Sequence, residues 1–426
     1  MTPVVVAPPK RLGKYDVGAK IGGGGMASVY VGHAKSEDGR AEMVALKVIR
    51  DELAHDDEFK EMFVDEAKIL ARLSHPNVIH TLEYGVTGHH RFIAMELLSG
   101  RTYSEVWDLL AARDEKMPIV LGAWVCARVA EGLHSAHELL DETGVALNVI
   151  HRDVNPSNVF LTLGGEVKLI DFGLAKARMR ASQTGDGIVK GKIPYLAPEQ
   201  AQAKKIDRRI DLYALGTTLW ETSSMKRLFK RKTDVETLNA IREALVPDLR
   251  RTIPAFPDAL WRIIERATQR DPELRYSTAE EMRRDLDAFV DDAAGMKKEL
   301  STLLARLFPG QQFEYAKWLR DVTSVRPPKG TMPPPAPLPT ASSTLLEDVE
   351  SISEIRAARP LVEGGPSSRR GENRPRKSRP PPIPRVATAT YLVRANDPHG
   401  ARRLWVSLAI VVLVLSAVAY AFIERR

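Results

Sequence analysis

Between Pro327 and Arg403 the chain lacks the residues needed to build a core, which limits where a folded domain can lie. The stretches "RPPKGTMPPPAPLPT" and "RRGENRPRKSRPPPIPR" are rich in proline and arginine and poor in large apolar residues. Such a segment buries too little surface to offset its chain entropy, so 326–403 is expected to be a disordered linker, partly extended as polyproline II. The charge is concentrated here as well. Between Arg356 and Arg403 there are 12 Lys/Arg against three acids, a local balance of +9 in a chain of net charge +7, which leaves the remainder near −2. A high pI carried by a linker does not mark the folded part as a nucleic-acid binder, and no nucleic-acid partner is expected. The linker itself suits contact with anionic lipid, or with an acidic or polyproline-recognising partner.

The linker runs into "LWVSLAIVVLVLSAVAYAFI", residues 404–423, which hold no charge in 20 positions. At about 1.5 Å per residue a helix of this length spans about 30 Å, the hydrocarbon thickness of a bilayer. Trp405 and Tyr420 sit near its ends, where amphipathic rings prefer the interface. Arg394, Arg402 and Arg403 precede the run and Arg425 and Arg426 follow it, a bias that favours a cytosolic upstream side. The expectation is a single-pass, tail-anchored protein of the cell (inner) membrane, with 424–426 as a short tail. At the other end "MTPVVVAPPKRL" has an apolar run too short for a secretory signal, so 1–14 is read as a disordered, cytosolic N-terminus.

Between Tyr15 and Asp291 strand-like and helical patterns alternate without low-complexity breaks. "VALKVI" (44–49) and "RFIAMELL" (91–98) read as strands. "DEFKEMFVDEAKILARL" (57–73) reads as a helix with Phe59, Phe63, Ala67, Leu70 and Leu73 on one face. The helical pattern dominates after about residue 190, which suggests a strand-rich lobe followed by a helix-rich one, an α+β class. Residues 292–325 read as a helical extension. The single cysteine, Cys126, lies in an apolar helical pattern and reads as a core residue.

Within 15–291 a series of short motifs falls in order. "IGGGGMASVYVG" (21–32) is a glycine-rich turn between two strands, where backbone N–H groups can approach phosphate oxygens closely. Gly22, Gly24 and Val29 match G-x-G-x-x-G-x-V, with Ala27 in the third glycine position. "VALK" then sets Lys47 in an apolar strand, where it needs a partner, and Glu66 on the following helix is the natural one. In "HRDVNPSN" (151–158) Asp153 would take a proton from an attacking hydroxyl and Asn158 would reach a metal ion. Asp171 of "DFG" supplies a hard carboxylate oxygen for the same Mg²⁺, and "LAPE" (196–199) closes the segment. Each motif alone is weak, but the ordered set at these spacings is specific.

On these motifs, residues 15 to about 290 resemble the protein kinase superfamily, and most of all the bacterial serine/threonine kinases of eukaryotic type. The resemblance implies a bilobal fold, ATP and Mg²⁺ (or Mn²⁺) as cofactors, and protein substrates. It implies that Gly22, Gly23, Gly24 and Gly25 cover the phosphates, with Lys47 held on them by Glu66. It makes Met95 the gatekeeper, gives Glu96 and Leu98 the hinge contacts to adenine, and lines the purine slot with Ile21, Val29, Ala45 and Leu161. Asp211 in "DLYALG" would brace the catalytic loop and Arg275 would pair with Glu199. Leu70, His151 and Phe172 would stack as a spine joining the lobes.

The family usually carries a lysine where this chain has Asn155, and Gly-Thr where it has Gly191 and Lys192. In the family fold those two positions touch, so Lys192 is a candidate to restore the lost ammonium. The alternative is that Lys192 simply reaches solvent. Arg152 is expected to dock a phosphate on the activation segment, whose candidate acceptors are Ser182 and Thr184, phosphorylated within a transient dimer. The rival reading is a pseudokinase scaffold that binds nucleotide weakly or not at all.

Overall fold

The computed structural model describes residues 9–35, 41–51, 53, 56–172, 193–311 and 317–318. The first lobe is a six-stranded antiparallel sheet made of β1 (Arg11–Leu12), β2 (Tyr15–Gly23), β3 (Ala27–Lys35), β4 (Ala41–Ile49), β5 (Thr81–Thr87) and β6 (His90–Glu96), ordered β1-β2-β3-β4-β6-β5. Helix α1 (Asp57–Arg72) is inserted between β4 and β5 and packs against the sheet. Successive side chains of a strand point to opposite faces, and here both faces are covered. Ala45 and Ile49 of β4 and Ile93 and Met95 of β6 pack with Phe59, Phe63 and Ala67 of α1. Val44, Leu46, Val48, Phe92 and Ala94 face the other way, onto Leu12 and Tyr15. Lys47 lies in phase with Ala45 and Ile49, so its side chain leaves the sheet on the α1 face. Helix α1 begins where the Asp56 carboxylate accepts from the Phe59 N–H at 3.1 Å. Its stripe of Phe59, Phe63, Ala67 and Leu70 is wholly buried, each large side chain contributing about 1.5–3 kcal/mol.

The helical lobe starts at Tyr103, so helices prevail well before residue 190. It contains α2 (Tyr103–Ala112), α3 (Ile119–His137), the short turn α4 (Pro198–Ala201), α5 (Arg209–Ser224), α6 (Asp234–Glu243), α7 (Asp258–Ala267), α8 (Ala279–Phe289) and α9 (Ala293–Leu307). A small sheet joins β7 (Gly100–Thr102), which directly precedes α2, to β8 (Val159–Thr162) and β9 (Val167–Leu169), which follow α3. The helical pattern expected around Cys126 is α3, which is apolar on most of its surface, with Trp124, Val125, Cys126, Ala127, Val129 and Ala130 all buried. Helix α5 is more extreme, buried from Ile210 to Ser223, so neither helix shows the alternating pattern of a surface helix.

One expected boundary shifts. Residues 11–14 are not disordered. Leu12 is fully buried and β1 pairs with β2, because its side chain completes the outer face of the sheet. Of the two arrangements open to the helical extension, packed beneath the domain or leading away from it, α9 takes the first. Met296, Leu300, Leu303, Leu304 and Leu307 join the core of the helical lobe, and Ser301 donates to the Leu163 carbonyl at 2.7 Å. Among the described residues no helix is long and apolar enough to cross a membrane. The linker 326–403, the apolar run 404–423, Ser182, Thr184 and Lys192 all lie outside the described residues.

Candidate active site

A cleft of about 870 Å³ is lined by both strands of the glycine turn, by β4, by α1, by the segment 95–102 and by residues 157–172. That volume suits a nucleotide-sized ligand. Its roof is the β2–β3 turn, closed by a hydrogen bond from the Gly24 N–H to the Ala27 carbonyl at 2.9 Å. Gly23 has φ +148°, and a Cβ there would lie 3.0 Å from the Ala27 carbonyl oxygen, so the turn requires glycine at this position. Around Gly24 and Gly25 there is open space, which leaves the backbone free to approach a phosphate. Ala27, in the third glycine position, is buried and continues the strand.

Lys47 enters the cleft from β4. Its Nζ lies 2.7 Å from Glu66 Oε1 and 3.0 Å from Asp171 Oδ1. Burial alone would lower the pKa of this ammonium, but the Asp171 and Glu66 carboxylates outweigh it and raise the value well above that of an ordinary lysine. The group is therefore a fixed cation at neutral pH. Glu66 is 3% exposed, which means that the buried charge is compensated only while α1 stays packed against β4. Asp171 holds φ +55°, a left-handed conformation that costs energy for a non-glycine residue. That backbone turn puts the Asp171 carboxylate beside Lys47 and the Phe172 ring into the core, 4.5 Å from the His151 ring. Leu70 and Phe172 belong to one core, which connects α1 to the helical lobe.

The loop 151–158 is held from below. Asp211, at the start of α5, accepts from the His151 N–H and the Arg152 N–H, each at 2.8 Å, and contacts His137 Nε2 at 2.9 Å. Asp153 is 5% exposed and lines a small cavity with Tyr195, Leu196 and Gln200 rather than the main cleft. Asn158 ties it to that cleft, with its Nδ2 donating to the Asp153 carbonyl at 2.8 Å and to Asp153 Oδ2 at 3.0 Å. Asn155 does the same from the other side. Its Nδ2 donates to the Asp153 carbonyl at 2.6 Å and to Oδ1 at 3.2 Å, while its Oδ1 accepts from the Ser157 N–H at 3.0 Å. Asn155 is 2% exposed, so it does not reach into the cleft as a long cationic side chain would; it locks the carboxylate in place. Asn158 and Asp171 both line the cleft, and an amide oxygen beside a carboxylate oxygen is the hard donor set that suits Mg²⁺ or Mn²⁺.

The opposite end of the cleft is apolar. Ile21, Val29, Ala45, Met95, Leu97, Leu98 and Ile170 line it, together with Glu96. Glu96 also bonds to Lys168 Nζ at 2.8 Å and accepts from the His80 N–H at 2.8 Å, which fixes the segment joining the lobes. Leu161 does not line the cleft, contrary to expectation. It is fully buried in the core of the helical lobe, and its neighbour Phe160 faces the cleft instead. The cause is strand periodicity: in β8 Val159 and Leu161 share one face and Phe160 takes the other. Gln311 and Trp318, from the C-terminal extension, also line the cleft, and the sequence motifs gave no signal for them. Below the site, Arg275 forms a bidentate buried pair with Glu199 at 2.7 and 2.8 Å and lies 4.6 Å from the Tyr213 ring centroid.

Residues 15–286 match the protein kinase domain model. The chain belongs to the protein kinase family. Its kinase domain is 39% identical over 280 residues to tyrosine-protein kinase MasK of Myxococcus xanthus, a match covering 66% of this chain and 43% of that protein. It is 31% identical to serine/threonine-protein kinase PrkC of Bacillus subtilis, covering 66% of this chain and 41% of PrkC. It is 34% identical to serine/threonine-protein kinase PknL of Mycobacterium tuberculosis, covering 66% of this chain and 67% of PknL. The match therefore spans less than half the length of the first two relatives. Among solved structures, the PknI kinase domain of Mycobacterium tuberculosis aligns with a TM-score of 0.50 at 25% identity, covering 67% of this chain and 99% of that one.

Proposed function

We propose that this kinase domain transfers the γ-phosphoryl group of ATP to serine and threonine hydroxyls of protein substrates. The observation that carries the reading is the convergence of Lys47, Glu66 and Asp171 within 3.0 Å contacts, beside an Asn158 that is bonded to the Asp153 carboxylate. Lys47 would hold the α- and β-phosphates, and the glycine turn would cover them. Asn158 and Asp171 would hold Mg²⁺, which when bound neutralises phosphate charge. Asp153 would accept the proton of the attacking hydroxyl as the new O–P bond forms and ADP leaves. Asn155 keeps that carboxylate oriented. The ammonium that other family members place at this position is assigned to Lys192, and Arg152 to a phosphate on Thr184 or Ser182, added by a second copy in a transient dimer. The run 404–423 would anchor the chain in the membrane, with the basic linker near anionic headgroups.

The test is detergent-solubilised full chain incubated with labelled ATP, Mg²⁺ and a generic protein substrate, beside Asp153→Ala. Label above that of the Asp153→Ala variant is expected. Equal labelling would leave a nucleotide-binding scaffold instead. A second reading, tyrosine as acceptor, is favoured by the name of the relative from Myxococcus xanthus. Phosphoamino-acid analysis of the labelled product separates the two. The Lys192→Ala variant with a wild-type rate would reject the relocated ammonium.

A further inference from the structure

Outside the nucleotide cleft, the end of β4 and the β5–β6 turn bring three ligand-type side chains together. Asp51 lies just beyond β4, and His89 and His90 form the turn into β6. Asp51 Oδ1 is 3.4 Å from His90 Nδ1 and 3.7 Å from His89 Nε2, and the three donor atoms all lie within 4.8 Å of one another. The two imidazole rings lie with centroids 3.9 Å apart and planes tilted by 43°. Hydrogen bonding does not account for this arrangement, because His90 Nδ1 is buried and has no hydrogen-bond partner among the described residues. Around a tetrahedral ion with ligands at about 2.1 Å, neighbouring donor atoms stand about 3.4 Å apart. The carboxylate-to-imidazole distances match that edge, so an ion could enter with little movement.

We propose that Asp51, His89 and His90 form a binding site for a divalent transition ion of the zinc class. Two imidazole nitrogens and one carboxylate oxygen favour Zn²⁺, Co²⁺ or Ni²⁺ over Mg²⁺ and Ca²⁺, which take oxygen sets. Three protein ligands leave a fourth position for water, and the half-exposed His89 side chain keeps the site open to solvent. The site lies apart from Lys47, Glu66 and Asp171 but is built into the same lobe. Asp51 opens the connection that leads from β4 to α1, which carries Glu66. A bound ion would tie this connection to the β5–β6 turn and restrain the start of the path to α1.

The experiment uses the untagged full chain in detergent, stripped with a chelator and titrated with Co²⁺. One equivalent should produce the visible absorption of a tetrahedral or five-coordinate Co²⁺ site, Zn²⁺ should displace it, and saturation should raise Tm by several degrees. Loss of outer-shell partners alone costs about 10–100-fold in metal affinity, so removing a direct ligand by His90→Ala or Asp51→Asn should weaken binding by about 100-fold or more. Asp171→Asn, which alters the nucleotide cleft, should leave the absorption intact. Where His90→Ala does not fold, by circular dichroism, the exposed His89→Ala takes its place with the same expected loss. No absorption band in the native chain, a band that survives the ligand variants, or one lost in Asp171→Asn would each overturn the proposal.

Discussion

Asn155→Asp tests whether the residue in the usual lysine position serves to orient the catalytic carboxylate. The change is almost isosteric, so packing around a side chain that is 2% exposed is preserved. It replaces the Nδ2 donor, 3.2 Å from Asp153 Oδ1, with an anionic oxygen. Two unit charges at that separation repel by about 5 kcal/mol at an effective dielectric of about 20. At about 1.4 kcal/mol per pH unit, the unrelaxed limit is a displacement of about 4 units. Side-chain relaxation lowers this, and an upward shift of about 2–3 units in the acid limb of phosphoryl transfer is expected. The sign follows from the chemistry. A base must be deprotonated to accept the hydroxyl proton, so raising its proton affinity moves the acid limb toward neutral pH, with the largest loss of activity in mild acid and the smallest in alkali. Single-turnover transfer from ATP, measured across pH, isolates the step from product release. Asn155→Ala is the companion variant. It deletes the donors to Asp153 and the bond to the Ser157 N–H without adding charge, costing about 1–3 kcal/mol of stability and shifting the limb far less. An Asn155→Asp enzyme with a wild-type pH profile would refute the positioning role.

The exchange of Leu161 for Phe160 in the cleft predicts opposite effects of two neighbouring substitutions. Phe160→Ala should raise the KM for ATP with little change in Tm, whereas Leu161→Ala should cost about 2–5 kcal/mol in denaturant unfolding and leave the KM of the folded fraction near wild type. Arg275→Ala strands the Glu199 carboxylate in the core and should destabilise the domain by about 3–5 kcal/mol, while the double change Arg275→Met/Glu199→Leu should recover most of it. A chemical melt of the three proteins checks this, and equal losses in the single and double variants would contradict the reading.

Much of the site was legible because its chemistry demands fixed residue types at fixed spacings. Lys47, Asp153, Asn158 and Asp171 each sit in a motif whose spacing the backbone imposes. Glu66 could be named as the partner of Lys47 because it shares helix α1 with the buried stripe Phe59, Phe63, Ala67 and Leu70. What misled the sequence reading was local phase. Leu161 and Phe160 are both large and apolar, and only the pairing of β8 with β7 and β9 decides which of them turns toward the cleft. Helix α3 was legible as an apolar helical pattern around Cys126, whereas α2, the first helix of the helical lobe, was not singled out.

From the residues alone came the boundary of the packable chain, the two-lobed class and the identities of the groups that can handle a phosphate. Hydrophobic content, strand and helix periods and the chemistry of oxygen and nitrogen donors are properties of the chain itself. The folded molecule alone decided that Asn155 braces Asp153 rather than leaving a gap, and that α9 belongs to the core. It also alone brought Asp51 and the histidine pair, far apart in the sequence, together with their donor atoms within 4.8 Å of one another. Those outcomes depend on distances between residues remote along the chain, which only close packing of the completed sheets and helices can set.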